Sequence, residues 1–415
     1  MTETDIVVVG GGLAGRLAAL TAADAGSASV TLLGHDNWAF DRQSGVVDVL
    51  GYTPEREEPI ADPFAALSDL PAAHPYRIVG IDEIRAGLAV FDRVVGDAYG
   101  GAGTDANALV PTAFGSLRPT ARYPRSMAAG LASESRETTL VGFEHLPSYD
   151  GPPAAERLES IVPYQVTGTT VQFPTDDRDR VAMAETLDDN PVTADADPAR
   201  EALAAAIRIY QTGEERIGLP PVLGLRETDA IRNQFQEAFG VPVFEVAADA
   251  PSVPGIRLGR RLEAGLDEAG VTVEPDARVE TVTTDGNRVE RLQLQDGTSI
   301  AGREFIVATG GVGSGGIDTN RSTVTESVFG CHVEAPDDRG AWAAGEPLGP
   351  HQFARFGVEI DDALRPLDSA GSPEFENLRA AGHVLGGFDA PAENSGGGVA
   401  VATGSFAGRL AAEEI

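Results

Sequence analysis

Lysine is absent from this chain: all 31 of its Lys-plus-Arg residues are arginine. That excludes a Schiff-base lysine, the lysine of a phosphate-binding P-loop and the lysine of a protein kinase. Cysteine is nearly absent too. Cys331 stands alone, so the chain cannot by itself ligate an iron–sulfur cluster, close an intrachain disulfide or build a cysteine-rich zinc site, and no metal centre is expected. An electron passing through it therefore needs a bound cofactor or a partner's centres. The single thiol fits a reducing cytoplasm. No apolar run approaches the ~18 residues of a transmembrane helix. The acidic start, Thr2-Glu3-Thr4-Asp5, reads straight into a strand and not as a signal peptide. Neither a G-x-S-x-G elbow nor an H-E-x-x-H motif occurs, which weakens hydrolase and metalloenzyme readings.

Positive charge is scarce. Asp and Glu number 64, and the formal net charge is -33. Nucleic acids and anionic membranes need clustered cations, so neither is an expected partner. Disorder is the simplest reading of an acidic chain, but 42% apolar and only 23% charged residues argue for a folded, soluble protein. An acid excess with arginine replacing every lysine points to a salt-adapted host. At molar salt the Debye length falls to about 3 Å and screens the self-repulsion. The 415 residues are enough for two or three domains.

Residues 5–33 read as a β-α-β unit. Ile6-Val-Val-Val9 is a buried parallel strand, Leu13, Leu17 and Leu20 recur at helical spacing, Gly26 closes the helix, and Val30-Thr-Leu-Leu33 is a second strand. Thr175–Arg180 and the stretch Leu187-Asp-Asp-Asn-Pro191 through Asp197 read as solvated acidic loops. A helix is expected over 252–269, with Leu258, Leu262 and Leu266 on one stripe. Asp285-Gly286 and Asp296-Gly297 mark hairpin turns of a meander that returns through Phe305-Ile-Val-Ala308. A short strand near 378–381, a glycine-rich turn and a final helix close the chain.

Three motifs carry chemistry. Gly10-Gly11-Gly12-Leu13-Ala14-Gly15 fits G-x-G-x-x-G and lies between a strand and a helix. There backbone N–H groups and the helix dipole can hold a phosphate. The acid that usually ends the second strand and binds an adenosine ribose is missing: Leu33 runs into Gly34-His35-Asp36. Asp36 is a late substitute at best, so FMN suits the site better than a full dinucleotide. The second motif is the strand ending in Ala308-Thr309-Gly310-Gly311. The third is Glu376-Asn-Leu-Arg-Ala-Ala-Gly-His383, followed by Gly386, Gly387, Asp389 and Ser395-Gly396-Gly397-Gly398. It resembles the C-terminal E-N-L-x-A-x-G motif of FAD and FMN oxidoreductases. Asn394 or Ser395 can cap the last helix, whose dipole would stabilise negative charge on a reduced flavin. His383 stands where many relatives carry Asp. It could donate to a phosphate, sit beside the isoalloxazine or serve as a local hydrogen-bonder.

Further segments match one family. Val8–Gly15, Gln43-Ser-Gly-Val-Val-Asp-Val-Leu50, Ala73-His-Pro-Tyr76, Gly218–Gly224, Pro251–Leu258, Phe356–Val358, Leu364–Pro366, Val384–Asp389 and Gly396–Val399 resemble the B subunits of the anaerobic glycerol-3-phosphate dehydrogenases, in their haloarchaeal form. The middle region, about 120–215, matches least. The resemblance implies an α/β fold: a FAD/NAD(P)-binding-type three-layer ββα Rossmann-like core with an inserted α/β cap. Residues 1–75 would form the first core segment, 76–250 the cap, 251–330 the core with its meander, and 331–415 a flavin-closing segment. It implies FMN, with FAD as the alternative, held by Gly10, Gly11, Gly12, Leu13, Ala14, Gly15, Ser44, Gly45, Thr309, Gly310, Gly386, Gly387, Asp389, Gly396, Gly397 and Gly398.

The family also implies an enzyme complex that oxidises sn-glycerol 3-phosphate to dihydroxyacetone phosphate and reduces quinone. Its partners would be a FAD-containing catalytic A subunit and an iron–sulfur C subunit. The iron–sulfur subunit would anchor the assembly to the inner face of the cell membrane, leaving this chain cytoplasmic and peripheral. No spacing selects a catalytic base among His383, His351, His74 and His332. Arg257 and Arg365 are candidates for holding an anion, with surface ion pairing the alternative. A self-sufficient FAD oxidoreductase of the fumarate-reductase or ketosteroid-dehydrogenase type and a non-catalytic subunit that kept the fold remain alternatives.

The charge generates a prediction. Stability measured by thermal unfolding should fall from molar to millimolar salt as screening of the -33 charge is lost. A salt-independent melting temperature would contradict it.

Overall fold

The structure, a computed structural model, describes residues 2–26, 28–34, 43–53, 58–194, 196–320, 323–347 and 349–415. Two compact units emerge. One comprises Met1–Ala39, Asp48–Gly96 and Arg261–Ile415, the other Phe40–Val47 and Asp97–Arg260. Elements are numbered along the whole chain.

The first unit is built on β1 (Thr2–Val9), α1 (Leu13–Asp24), β2 (Val30–Leu33) and α2 (Pro75–Val95). After the second unit the chain returns through α7 (Val253–Glu268), β11 (Thr272–Glu274), β12 (Val279–Asp285), β13 (Arg288–Leu294) and β14 (Ser299–Val307). Then follow the hairpin β15 (Ile317–Thr319) and β16 (Val324–Glu326), β17 (Leu378–Ala380), α8 (Ala390–Glu393) and α9 (Gly396–Glu413). The main sheet runs β11-β2-β1-β14-β13-β12, with β17 also paired to β14. Parallel pairing joins β11 to β2, β2 to β1, β1 to β14 and β14 to β17. The meander β12-β13-β14 is antiparallel. Ile6, Val7 and Val8 are wholly buried, as a parallel strand covered on both faces requires. This is the expected Rossmann-like flavoprotein core.

Small residues let α9 pack backbone to backbone. A Cβ on Gly404 would lie 2.3 Å from the Ala14 carbonyl oxygen of α1, and one on Gly87 of α2 would lie 2.7 Å from the Val401 carbonyl oxygen. This contact explains why the first core segment extends to Gly96, where the sequence placed its end at residue 75: α2 belongs with α9. Residues 331–415 lie in the same unit as 261–330. The far boundary falls inside α7, at 260/261 instead of 250/251.

The second unit contains two short antiparallel pairs, β3 (Tyr99–Gly100) with β6 (Tyr123–Pro124) and β4 (Ala108–Pro111) with β5 (Leu117–Thr120). Its main body comprises β7 (Thr138–Phe143), α3 (Gly151–Glu159), β8 (Val166–Val171), α4 (Arg180–Asp189), α5 (Ala199–Arg208), β9 (Arg216–Leu219), α6 (Thr228–Phe239) and β10 (Val243–Glu245). The four strands of that body form a parallel sheet of order β10-β9-β7-β8. This is the inserted α/β unit. Phe143, Phe173, Phe235 and Phe244 fill its core.

The two acidic stretches are only partly solvated loops. Asp179 caps α4 by accepting from the Val181 and Ala182 N–H groups, and the helix runs through Asp188. The Asp188 side chain is 1% exposed. It accepts from the N–H groups of Leu225, Arg226 and Glu227, so a buried anchor stands where the charge run suggested solvent. Asp195 lies outside the described residues. Among the described residues no helix is long and apolar enough to cross a membrane.

Gly87→Ala tests the helix contact. Helix propensity alone predicts a gain of about 1 kcal/mol. The close approach predicts a net loss of about 1–3 kcal/mol in chemical denaturation at high salt.

Candidate functional site

The glycine loop joins β1 to α1. Gly10 adopts φ +122°, and a Cβ there would lie 2.2 Å from the Ala308 carbonyl oxygen. A Cβ on Gly15 would lie 1.9 Å from the Gly10 carbonyl oxygen. Neither position admits a side chain. At Gly12 a Cβ would meet nothing within 4 Å, and Gly12 provides no side-chain cap to α1. A helix leaves its first N–H groups without intrahelical acceptors. The loop is therefore a rigid turn with an open N-terminal face, which fits an anionic phosphate.

Arg16 reinforces it. Its Nε donates to the Gly11 carbonyl at 2.9 Å, and Nη2 pairs with Glu263 at 3.1 Å. Burial lowers its pKa from the usual arginine value. The motif reading stopped at Gly15 and missed this residue. The signal was there: Arg16 shares the helical face of Leu13 and Leu20 in a chain whose only strong cation is arginine.

No carboxylate ends β2. The Gly34 N–H donates to the Glu274 carbonyl at 2.8 Å, and the Gly34 carbonyl accepts from the Ala277 N–H at 2.8 Å. Asp36 lies outside the described residues. The loop thus fits the phosphate of a flavin nucleotide, and the usual ribose anchor is missing from its usual place.

β14 carries Thr309 and Gly310 to the same end of the sheet, where the Ala308 N–H donates to the Val9 carbonyl at 2.8 Å. The Thr309 hydroxyl donates to Glu326 at 3.5 Å. Glu326 is 1% exposed. It accepts from the Val328 and Phe329 N–H groups at 3.0 and 2.6 Å. Burial pushes its carboxyl up to about 7, against the lowering effect of those bonds. Cys331 is buried beside it, and burial raises its thiol well out of the reactive range. Glu326 escaped the motif search, although strand alternation puts it on the buried side of β16 with Val324.

Much of the C-terminal motif is structural. The Asn377 amide donates to the Val289 and Arg303 carbonyls at 2.8 Å each. Arg379 pairs with buried Glu304. The His383 side chain is exposed, and a Cβ on Gly396 would lie 2.5 Å from its Nε2. Desolvation by its neighbours lowers its pKa, and the ring lies against the start of α9. Gly386 and Gly387 donate their N–H groups to the Val358 and Arg355 carbonyls, and Gly398 donates to the Asp48 carbonyl. Gly396 and Gly397 are left as the first-turn positions open to a ligand. Asp389 caps α8 by accepting from the Ala392 N–H at 3.2 Å.

The expected side-chain cap on α9 is absent. Asn394, at φ 47°, ends α8. Ser395 stands at the N-cap, but its hydroxyl donates to Glu393 Oε2 at 2.9 Å. The same oxygen lies 3.1 Å from His74 Nε2. His74 Nδ1 accepts from the Tyr76 N–H at 3.0 Å, so the ring proton sits on Nε2 and faces the carboxylate. The Asp389 N–H donates to Glu393 Oε1 at 3.0 Å. Tyr76 donates to the Val49 carbonyl at 2.7 Å. This buried network fixes the start of α9.

His74 is thus a structural donor. His351 bridges the Ala344 N–H and the Pro347 carbonyl at 3.0 Å each. The His332 N–H donates to Glu374 at 2.7 Å. Arg365 is held by Asp361 at 2.7 Å. Arg257, in the second unit, forms a two-pronged pair with Glu245 at 2.6 and 2.9 Å and donates to the Gly224 carbonyl at 2.7 Å. Burial alone would raise the Glu245 carboxyl, but Arg257, Ser126 and the Leu223 N–H together hold it below the usual range. Each arginine's charge already has a carboxylate partner, so neither is the free anion holder that the sequence suggested. Ser44 and Gly45 also lie in the second unit, where the Gly45 carbonyl accepts from the Tyr99 hydroxyl at 2.6 Å. Among the described residues no His, Cys, Asp or Glu group is arranged to hold a metal ion.

A family model described as FAD binding domain matches residues 5–399. A Halobacterium salinarum protein described as the probable B subunit of an anaerobic glycerol-3-phosphate dehydrogenase is 46% identical over 423 residues, covering 100% of this chain and 99% of that one. The B subunit of the anaerobic glycerol-3-phosphate dehydrogenase of Pasteurella multocida is 27% identical over 99% of this chain and 98% of its own. Among solved structures, 3-ketosteroid delta1-dehydrogenase from Sterolibacterium denitrificans aligns over 100% of both chains with a TM-score of 0.47 and 13% identity.

The buried network can be tested directly. Glu393→Ala leaves the His74 and Ser395 donors buried without an acceptor, and should cost about 2–4 kcal/mol in denaturant unfolding at high salt. Glu393→Gln retains one acceptor and should cost less.

Proposed function

The chain belongs to the FAD-binding-domain family and to the family of anaerobic glycerol-3-phosphate dehydrogenase B subunits, and on that premise we propose that it is the flavin-bearing subunit of a membrane-associated sn-glycerol-3-phosphate:quinone oxidoreductase. The observation that carries this reading is the open phosphate-binding face at Gly12, held between Gly10 and Gly15, which admit no side chain. FMN is the preferred cofactor because β2 ends in Leu33-Gly34 with no ribose-binding acid; FAD is the alternative.

When bound, the flavin supplies a two-electron acceptor that can also release electrons singly. The protein's part is to hold it. The N–H groups that follow Gly12 would bind its phosphate. The first turn of α9, at Gly396 and Gly397, would place a helix N-terminus against negative charge. Arg257 and Arg365 are paired with carboxylates, and among the described residues no hydrogen-bond partner orients the exposed His383 ring as a base for an alcohol. We therefore assign oxidation of glycerol 3-phosphate to dihydroxyacetone phosphate to a FAD-containing partner, the A subunit. The lone, buried Cys331 is consistent with clusters carried by another partner, the iron–sulfur C subunit. That partner would pass electrons to quinone and hold the assembly on the inner face of the membrane.

Purified at high salt, the chain should show flavin absorbance, and mass spectrometry of the extracted cofactor should find FMN. FAD in the extract would correct the cofactor and keep the flavoprotein. A colourless chain that takes up neither FMN nor FAD would refute the proposal. Expression with the neighbouring subunits should yield a complex reducing a quinone analogue with glycerol 3-phosphate.

A further inference from the structure

The proposed function gives no role to Glu326. Its burial needs an explanation, because an ionised carboxylate out of water is costly unless a cation pairs with it. Among the described residues no Arg or His forms an ion pair with Glu326, and burial is the main influence on its proton.

Its place in the fold supplies the explanation. Glu326 Oε1 faces the Thr309 hydroxyl at 3.5 Å. The Thr309 backbone nitrogen lies 3.0 Å from where a Cβ on Gly10 would stand. The Gly310 carbonyl is packed on Gly316, where a Cβ would come within 1.9 Å of it, and the Ser327 N–H donates to the Gly316 carbonyl at 3.0 Å. The carboxyl is therefore two contacts from the phosphate-binding loop. The groups around it are few. Phe305 and Phe329 pack edge to face at 6.4 Å. Thr309 and Ser314 are uncharged. Cys331 returns its carbonyl to the Glu326 N–H at 3.0 Å, and Glu374 and His332 lie beyond it.

We infer that Glu326 is a proton-linked positioning residue of the nucleotide-binding loop: through Thr309 it fixes the turn packed on Gly10, and its protonated form and a bound flavin phosphate stabilise one another. This rests on the flavin reading above. The neutral carboxyl steadies the turn without placing negative charge behind an anion. Linkage is reciprocal, so anion binding favours the proton as much as the proton favours the anion. Because the group titrates near neutrality, flavin affinity is greatest below neutral pH and falls as the proton leaves. Salt screens a buried pair of charges less than a surface pair, so the effect survives in high-salt buffers.

The test uses the full-length chain stripped of flavin, titrated with FAD and separately with FMN by fluorescence quenching across the acid-to-alkaline range around neutrality. In the wild type the dissociation constant should rise about fivefold or more. In Glu326→Gln the rise should be lost. Any titration of the ligand's own phosphate is common to both proteins and cancels in the comparison. Calorimetry of the wild type in two buffers of different ionisation enthalpy gives a second readout, which does not depend on the variant folding. Flavin binding should take up protons near neutral pH and none at low pH. A purely structural Glu326 would lower stability on substitution and leave the pH profile of binding unchanged. Flavin binding with the same pH profile in both proteins, or without proton uptake near neutrality, would overturn the inference and leave the flavin reading intact. Failure of both flavins to bind at any pH would overturn both.

Discussion

Backbone contact between α9 and its neighbours is the constraint on which the first unit depends. A Cβ on Gly404 or Gly408 would come within 2.3 or 2.2 Å of carbonyl oxygens of α1. Gly87 permits the equivalent approach from α2. Side chains of ordinary size would separate these helices, and the start of α9 would leave the end of the sheet where the glycine loop lies. A Cβ on Gly382, just before His383, would come within 2.6 Å of the Ala14 Cβ, so the C-terminal motif is seated on the helix that the fingerprint opens. Dispersion and apolar burial stabilise this arrangement, and the small residues make it possible.

Polar groups inside this frame follow a consistent division of labour. Glu393, Glu304 and Asn377 have their partners in full view and hold elements together across long stretches of sequence. Arg16 does the same for the glycine loop. Among the described residues Glu326 has only backbone N–H groups and one hydroxyl as partners, and it lies where β14 ends beside the glycine loop. A buried acid held only by neutral donors keeps its proton to a higher pH than one paired with a cation.

Much of this was legible in the sequence. The β-α-β fingerprint, the meander with its Asp-Gly turns and the last helix follow from local periodicity and turn chemistry, whereas the inserted unit was implied by the family resemblance. The expected boundaries differ because the association of α2 with α9 is written in single glycines, which a local pattern does not distinguish from a helix weakness. The site was only partly legible. Gly10, Gly12 and Gly15 were readable because a motif states backbone requirements. Arg257 and Arg365 looked available because a sequence shows charge but not the partner that takes it up. Ser395 looked like a helix cap, but Glu393, two residues before it, claims its hydroxyl. Arg16 and Glu326 were hidden in plain alternation, as polar residues on apolar faces.

The chain order of the first unit has a consequence for biosynthesis. Its central strand pairs β1 near the start with β14 some three hundred residues later, and α1 is covered by the helix that ends the chain. The second unit takes nearly all its residues from one continuous stretch, Asp97–Arg260, and its sheet is assembled from neighbours. During translation it can mature while β1 and α1 still wait, apolar and uncovered, for partners not yet made. The nucleotide-binding core thus closes after the second unit, and its first strand waits for β14 through the synthesis of that unit.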